Sequence, residues 1–231
     1  MMEIGLWILS FCLMAIETCG SIYFFDTFME RKRTGRLEKR RFVVLYPTIV
    51  AVAFLGEYCP MGVKVLLAVL ALTIFCAVFY KADWKQCIFF SGLDYSLYCL
   101  ADIVALQLEN ILMDSEGAYV SKPVFLALPA KLAWLCVIFA VRKIWKGKND
   151  YGGLSRKEWL EFSLIPLLSA GAMLLMYYCY SSDKKVQVSY LFLTVGLILM
   201  NFLVMELMQD ILEKGELLRE SALTDQKKES Q

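Results

Sequence analysis

The sequence predicts an all-α integral membrane protein: a bundle of seven transmembrane helices, followed by a cytoplasmic signalling helix. Three observations lead there. Of 231 residues, 59% are hydrophobic and the mean hydropathy is +0.56, well above the roughly 45–50% apolar content of ordinary soluble domains. The apolar residues fall into seven runs of near-membrane length, separated by short polar stretches. Basic residues alternate from loop to loop, as the positive-inside rule requires of a multi-pass chain.

The first run, residues 4–28, lacks a positive n-region and is longer than the apolar segment of a secretory leader, so it reads as a retained span. Seven Lys or Arg follow between residues 30 and 41. Membrane topology explains them better than nucleic acid or acidic lipid does. Residues 42–58 form the second run, closed by the Cys59-Pro60-Met61-Gly62 turn, and residues 63–80 form the third. Residues 87–113 are the fourth run and the most polar. The fifth covers 123–141. A basic loop with a Tyr151-Gly152-Gly153 turn signal separates it from the sixth, 159–180. The seventh covers 186–208.

The loops after the first, third and fifth runs hold seven, two and six Lys or Arg, against none, one and two after the second, fourth and sixth. This excess places the N-terminus outside and the C-terminus inside. A net charge of +1 suggests no nucleic-acid partner. There is no internal repeat, and an odd span count argues against an inverted-repeat transporter.

An ionisable group at mid-membrane costs about 2.5–3.5 kcal/mol, so each one implies a partner or a wet cavity. The fourth run carries Asp94, Asp102 and Glu109, which share one helical face at about 100° per residue. The fifth run answers with Lys131, and the first offers Glu17. Lys131 paired with Asp102 or Glu17 would fix helix packing; alternatively, these groups line an ion path or a ligand pocket. Pro166 predicts a kink in the sixth run, and Ser169-Ala170-Gly171-Ala172 allows close helix contact. Asn201 needs a lateral hydrogen bond, which a dimer axis would supply. At the outer ends, Tyr58, Tyr119, Tyr177 and Tyr178 form an interfacial belt or floor a shallow site for an apolar peptide.

The chain contains no His. That excludes Ser/His and Cys/His chemistry within these residues. No Walker loop, dinucleotide fingerprint or metal-ligand spacing is present, so no catalytic residue, metal or cofactor is expected. The eight cysteines show no C-x-x-C spacing and read as small hydrophobes. Cys59 and Cys179 both map near the outer face, where a disulfide is conceivable.

Beyond residue 208 the helical pattern continues into polar sequence. Val204, Met208, Ile211, Gly215, Leu218 and Ala222 follow a 4-3-4-3-4 spacing, an a/d heptad seam. The chain therefore divides into a membrane domain, 1–209, and a cytoplasmic helix, 210–231. That helix either frays in solvent or pairs with a second copy as a signalling homodimer.

With these features together, the chain resembles the sensor half of a bacterial peptide-quorum-sensing histidine kinase of the accessory-gene-regulator type, GHKL class. The residues that carry the resemblance begin with Glu17 and with Phe24-Phe25-Asp26-Thr27-Phe28 before a basic loop. Lys131 in the fifth run and Leu164-Ile165-Pro166-Leu167-Leu168-Ser169 in the sixth add to it. Leu197-Ile198-Leu199-Met200-Asn201-Phe202-Leu203-Val204, running into Leu207-Met208-Gln209-Asp210-Ile211-Leu212-Glu213, completes it. The resemblance implies a receptor in the bacterial cell membrane that senses a small secreted peptide and dimerises. Its kinase, with the phospho-accepting His, would follow these residues. A different class stays open: a small ion-coupled permease subunit using Asp94, Asp102, Glu109 and Lys131.

Overall fold

In a computed structural model the chain forms seven helices: α1 (Met2–Phe28), α2 (Arg41–Glu57), α3 (Met61–Phe79), α4 (Trp84–Met113), α5 (Pro123–Ile144), α6 (Arg156–Tyr178) and α7 (Lys184–Glu229). The structure describes residues 2–32, 40–113, 123–145, 154–179 and 183–229. Among these there is no strand, only an antiparallel bridge between Arg31 and Tyr80. Each helix matches one apolar run of the sequence to within a few residues, apart from α7, which continues well past its run. Among the described residues, five contain segments long and apolar enough to cross a membrane: Trp7–Phe28, Met61–Phe79, Trp84–Leu108, Lys157–Tyr178 and Lys185–Arg219. The sequence predicts seven such segments; α2 is the shorter sixth, and the side chains at the start of α5, residues 123–127, lie outside the described set. α2 has 17 residues with Pro47 inside, a rise of about 26 Å against a core of about 30 Å. α5 carries Pro129 inside and ends on Arg142 and Lys143.

The polar fourth run becomes the centre of the molecule. In its apolar window 61% of residues are buried, against 28–33% in the other four segments. α4 packs on α1, α3, α5, α6 and α7, which removes its carboxylates and hydroxyls from the periphery. The peripheral helices turn apolar rows outward. On α3 these are Leu66, Leu70, Ile74 and Val78, one row at four-residue spacing. On α6 they include Leu160, Leu164, Leu167 and Leu168. Such continuous apolar surface suits hydrocarbon rather than water, and makes the chain compatible with a multi-pass membrane protein.

One end of the bundle is aromatic. Phe28 stacks on Phe90 with centroids 4.6 Å apart and meets Trp145 edge-on at 4.8 Å. Phe89 meets Trp159 at 5.7 Å. These contacts bring the C-terminal ends of α1 and α5 together with the N-terminal ends of α4 and α6. The start of α2 and the end of α3 join them through Asp26. Its Oδ1 accepts from Arg41 at 2.7 Å and from the Tyr80 hydroxyl at 2.9 Å, while Arg31 binds both oxygens at 2.9 and 2.6 Å. Burial, and next the Asp26 carboxylate, push the Tyr80 hydroxyl above its ordinary range, so it remains a donor. Backbone bonds from Lys32 to Phe79 and from Lys81 to Glu30 close the same junction. Successive helices therefore alternate in direction.

Local sequence sets the ends. α6 starts with a capping box: Ser155 Oγ accepts from the Glu158 N–H at 3.3 Å, and Glu158 Oε2 accepts from the Ser155 N–H at 2.6 Å. α7 has no Pro and runs unbroken for 46 residues, about 69 Å, so it extends far beyond a membrane core.

A charged cavity beside the central helix

α1, α2, α3 and α4 line a half-open cavity of about 440 Å³. On the α2 and α3 side its wall is apolar, with Leu45, Ile49, Val52, Ala68 and Ala71. The short side chains of Ala68 and Ala71 leave the space. The opposite wall is polar and combines Glu17 and Ser21 of α1, Asp94 and Tyr98 of α4, and Lys131 of α5.

Helical spacing assembles that wall. Glu17 and Ser21 are one turn apart on α1, and Asp94, Tyr98 and Asp102 form a stripe at four-residue intervals on α4. Lys131 sits where the stripes meet. Its ammonium pairs with the Glu17 carboxylate and donates to the Tyr98 hydroxyl. The Tyr98 hydroxyl in turn donates to Glu17 Oε1. Asp102 Oδ1 lies 3.5 Å from the same ammonium. The sequence left open whether Lys131 pairs with Asp102 or Glu17; here it serves both, with Tyr98 between them. One buried ammonium thus balances two carboxylates.

Asp94 stands apart from that network. Ser21 Oγ donates to its Oδ2 at 2.7 Å. Its Oδ1 accepts no hydrogen bond among the described residues, although Asp94 is only 1% exposed. Lys64 of α3 also lines the cavity and has no ion pair among the described residues; its stem packs against Gly56. The Trp134 indole backs the polar wall. It meets Tyr98 edge-on at 5.6 Å and lies so close over Gly20 that any side chain there would collide with it.

The remaining expected residues are dispersed. Glu109 lies on α4, with its side chain outside the described residues, and Tyr119 falls outside them altogether. Tyr58, at the α2–α3 turn, is 87% exposed. Tyr177 and Tyr178 are exposed at the end of α6, with rings 5.7 Å apart. Cys59 and Cys179 are free thiols. α6 continues through Pro166 without a break. Asn201 finds a lateral partner within the chain: its Nδ2 donates to Ser169 Oγ of α6 at 2.8 Å, while its Oδ1 accepts no hydrogen bond among the described residues.

The heptad seam divides. Val204 and Met208 are buried with Met205 and Leu212 in the chain's own core, and Ile211 packs against that core. Leu218 is 72% exposed. Gly215 and Ala222 lie further along α7, and the Ala222 side chain is outside the described set.

Sequence reasoning missed Tyr98, Ser21 and the Asp26 junction. Tyr98 was detectable, being one turn from both Asp94 and Asp102 on the same face. Among the described residues, no group of three or more Cys, Asp or Glu is placed to hold a metal ion. Fold and cavity together define an all-helical apolar chain, suited to several membrane crossings, with a buried charge network beside an internal cavity. Comparison with protein-family models, curated proteins and solved structures finds no match.

Proposed function

We propose that the chain is a membrane signal receptor: a small ligand in the cavity shifts the packing of α4, and α7 carries that shift to the cytoplasmic side. The observation that supports this most is the position of α4. Asp94 and Tyr98 line the cavity on one face. At about 100° per residue, Phe89, Leu93, Ser96 and Leu100 lie on the opposite face, and all four are buried. α7 packs on α4, and Val204, Met205 and Met208 share a core with Phe89 and Leu93. A ligand that favours one arrangement of α4 would bias α7 by direct contact.

The resemblance to the sensor half of an accessory-gene-regulator-type histidine kinase supports the same reading. It adds an outside N-terminus, an extracellular peptide as one candidate ligand, a homodimer, and a kinase acting after α7. Phosphotransfer belongs to that kinase and not to these residues. Met208 is covered by its own bundle, so pairing between copies falls to the exposed part of α7 from Glu213 onward.

The test is disulfide crosslinking in a variant lacking the native cysteines. A cysteine at Leu218 should link two copies, and a cysteine at Met208 should not. Filling the cavity with Ala68→Phe should alter the Leu218 yield. Equal yields at both positions, or a Leu218 yield indifferent to Ala68→Phe, would overturn the reading. The Lys131–Glu17–Asp102 network beside a cavity favours one rival, a small ion-coupled permease. A permease would keep its transport after removal of residues 213–229, whereas a receptor would lose its output.

A further inference from the structure

We infer that the cavity holds a small organic cation, an ammonium group on an apolar body, with Asp94 as its counter-ion. This ligand class rests on the receptor reading only for its consequence; the binding site stands on the cavity itself. The cavity wall has two acids, Glu17 and Asp94, and two cations, Lys64 and Lys131. Glu17 is matched by Lys131, which Asp102 shares from outside the cavity wall. Among the described residues, that leaves no cation paired with Asp94. Its one hydrogen bond comes from the neutral Ser21 hydroxyl, and the second oxygen is buried with no donor. A buried carboxylate without a counter-charge is costly, and a ligand that supplies both charge and N–H donors removes that cost.

Size and wall composition select among cations. A bare metal ion would need several oxygen ligands at short range, and the α2 and α3 walls offer hydrocarbon instead. About 440 Å³ fits within the range of small-molecule sites. With a turn of the Asp94 carboxyl, whose free oxygen is covered here, an amine can set its nitrogen between Asp94 and Tyr98 and lay its carbon body along Leu45, Ile49 and Ala68. Lys64 opposes this occupant. Lys64 lines the same cavity, and in a low-dielectric space repulsion between like charges is poorly screened.

These positions give effects of opposite sign. The probe is radiolabelled 2-phenylethylamine, bound at equilibrium to the full chain in lipid nanodiscs. Saturable binding should be displaced by the unlabelled amine, and not by the neutral 2-phenylethanol or the anionic 3-phenylpropionate. Asp94→Asn should weaken affinity by about tenfold or more, with Asp94→Glu recovering part of it. Lys64→Met should strengthen affinity. Ala68→Phe, which fills the space and leaves every charge in place, should abolish binding. If Asp94→Asn does not fold, Lys64→Met and Ala68→Phe decide. Absence of saturable binding, equal binding by wild type and Asp94→Asn, or displacement by the alcohol as readily as by the amine would each overturn the inference. Amine binding with an unresponsive Leu218 crosslink would instead remove the receptor reading and leave the site. A responsive crosslink without amine binding would do the reverse.

Discussion

Lys131 touches Glu17 and Tyr98 and lies 3.5 Å from Asp102, so the cost of losing it falls on the groups it leaves behind. Among the described residues, Lys131→Met removes the only cation from Glu17, which is mostly buried, and from Asp102, which is about a third exposed. Breaking a buried pair from one side costs about 3–5 kcal/mol, because an uncompensated charge stays in the interior. Lys131→Met should therefore lower the unfolding temperature in detergent by a wide margin, read from tryptophan fluorescence. Glu17→Gln in the same chain should restore part of the loss, because fewer charges are then stranded. A Lys131→Met variant as stable as the wild type would show that water, and not the ammonium, balances these acids. The charged members of this cluster were legible in the sequence because a charge in an apolar run has few explanations. Tyr98 was hidden because a tyrosine in such a run is unremarkable until its register with Asp94 and Asp102 is counted. Asp26 was hidden for another reason: it lies at the end of the first apolar run, and only the meeting of three helix ends makes it a junction.

Among the elements, α7 separates what periodicity can say from what it cannot. The 4-3-4-3-4 spacing from Val204 to Ala222 specifies a continuous apolar stripe, and α7 is indeed one helix across it. Spacing does not reveal what covers the stripe. Here α4 and α6 cover its first half, so Met208 and Leu212 are buried while Leu217 and Leu218 are exposed. Chain connectivity is the physical reason: a helix leaving a bundle must first be packed within it. Single cysteines in a background without the native eight should thus react in two classes. Those at Met208 and Leu212 should label slowly with a membrane-permeant maleimide, and those at Leu217 and Leu218 quickly. Similar rates at Met208 and Leu218 would mean that α7 does not pack on α4, and the proposed route from the cavity would lose its second half.

For the whole molecule, the open matter is how the bundle stands in a membrane, and α2 and α5 decide it. Neither shows a segment of full spanning length among the described residues, which leave out the side chains of 123–127 in α5. Yet the Asp26 junction brings the start of α2 to the ends of α1 and α3, and the aromatic cluster brings the end of α5 to the ends of α1 and α4. α2 and α5 therefore run through the bundle antiparallel to their neighbours, the arrangement that seven alternating spans require. The described basic residues that flank these helix ends, Arg31, Lys32, Arg41, Lys81, Lys85, Arg142 and Lys143, then collect at the aromatic end, and the α2–α3 turn lies at the other. If the positive-inside rule governs this chain, the aromatic end is cytoplasmic. In intact cells a membrane-impermeant maleimide should label Tyr58→Cys directly and Lys85→Cys only after permeabilisation, both in the cysteine-free background. Tyr58 is almost fully exposed and Lys85 lies in the first turn of α4, so both tests read topology at positions away from the core. Reversed labelling would invert the orientation and put the exposed part of α7 outside the cell, where it could not address a cytoplasmic kinase. Labelling of both from the same side would mean that α3, the helix between them, does not cross. The cavity it walls would then open toward a membrane surface, not toward its interior.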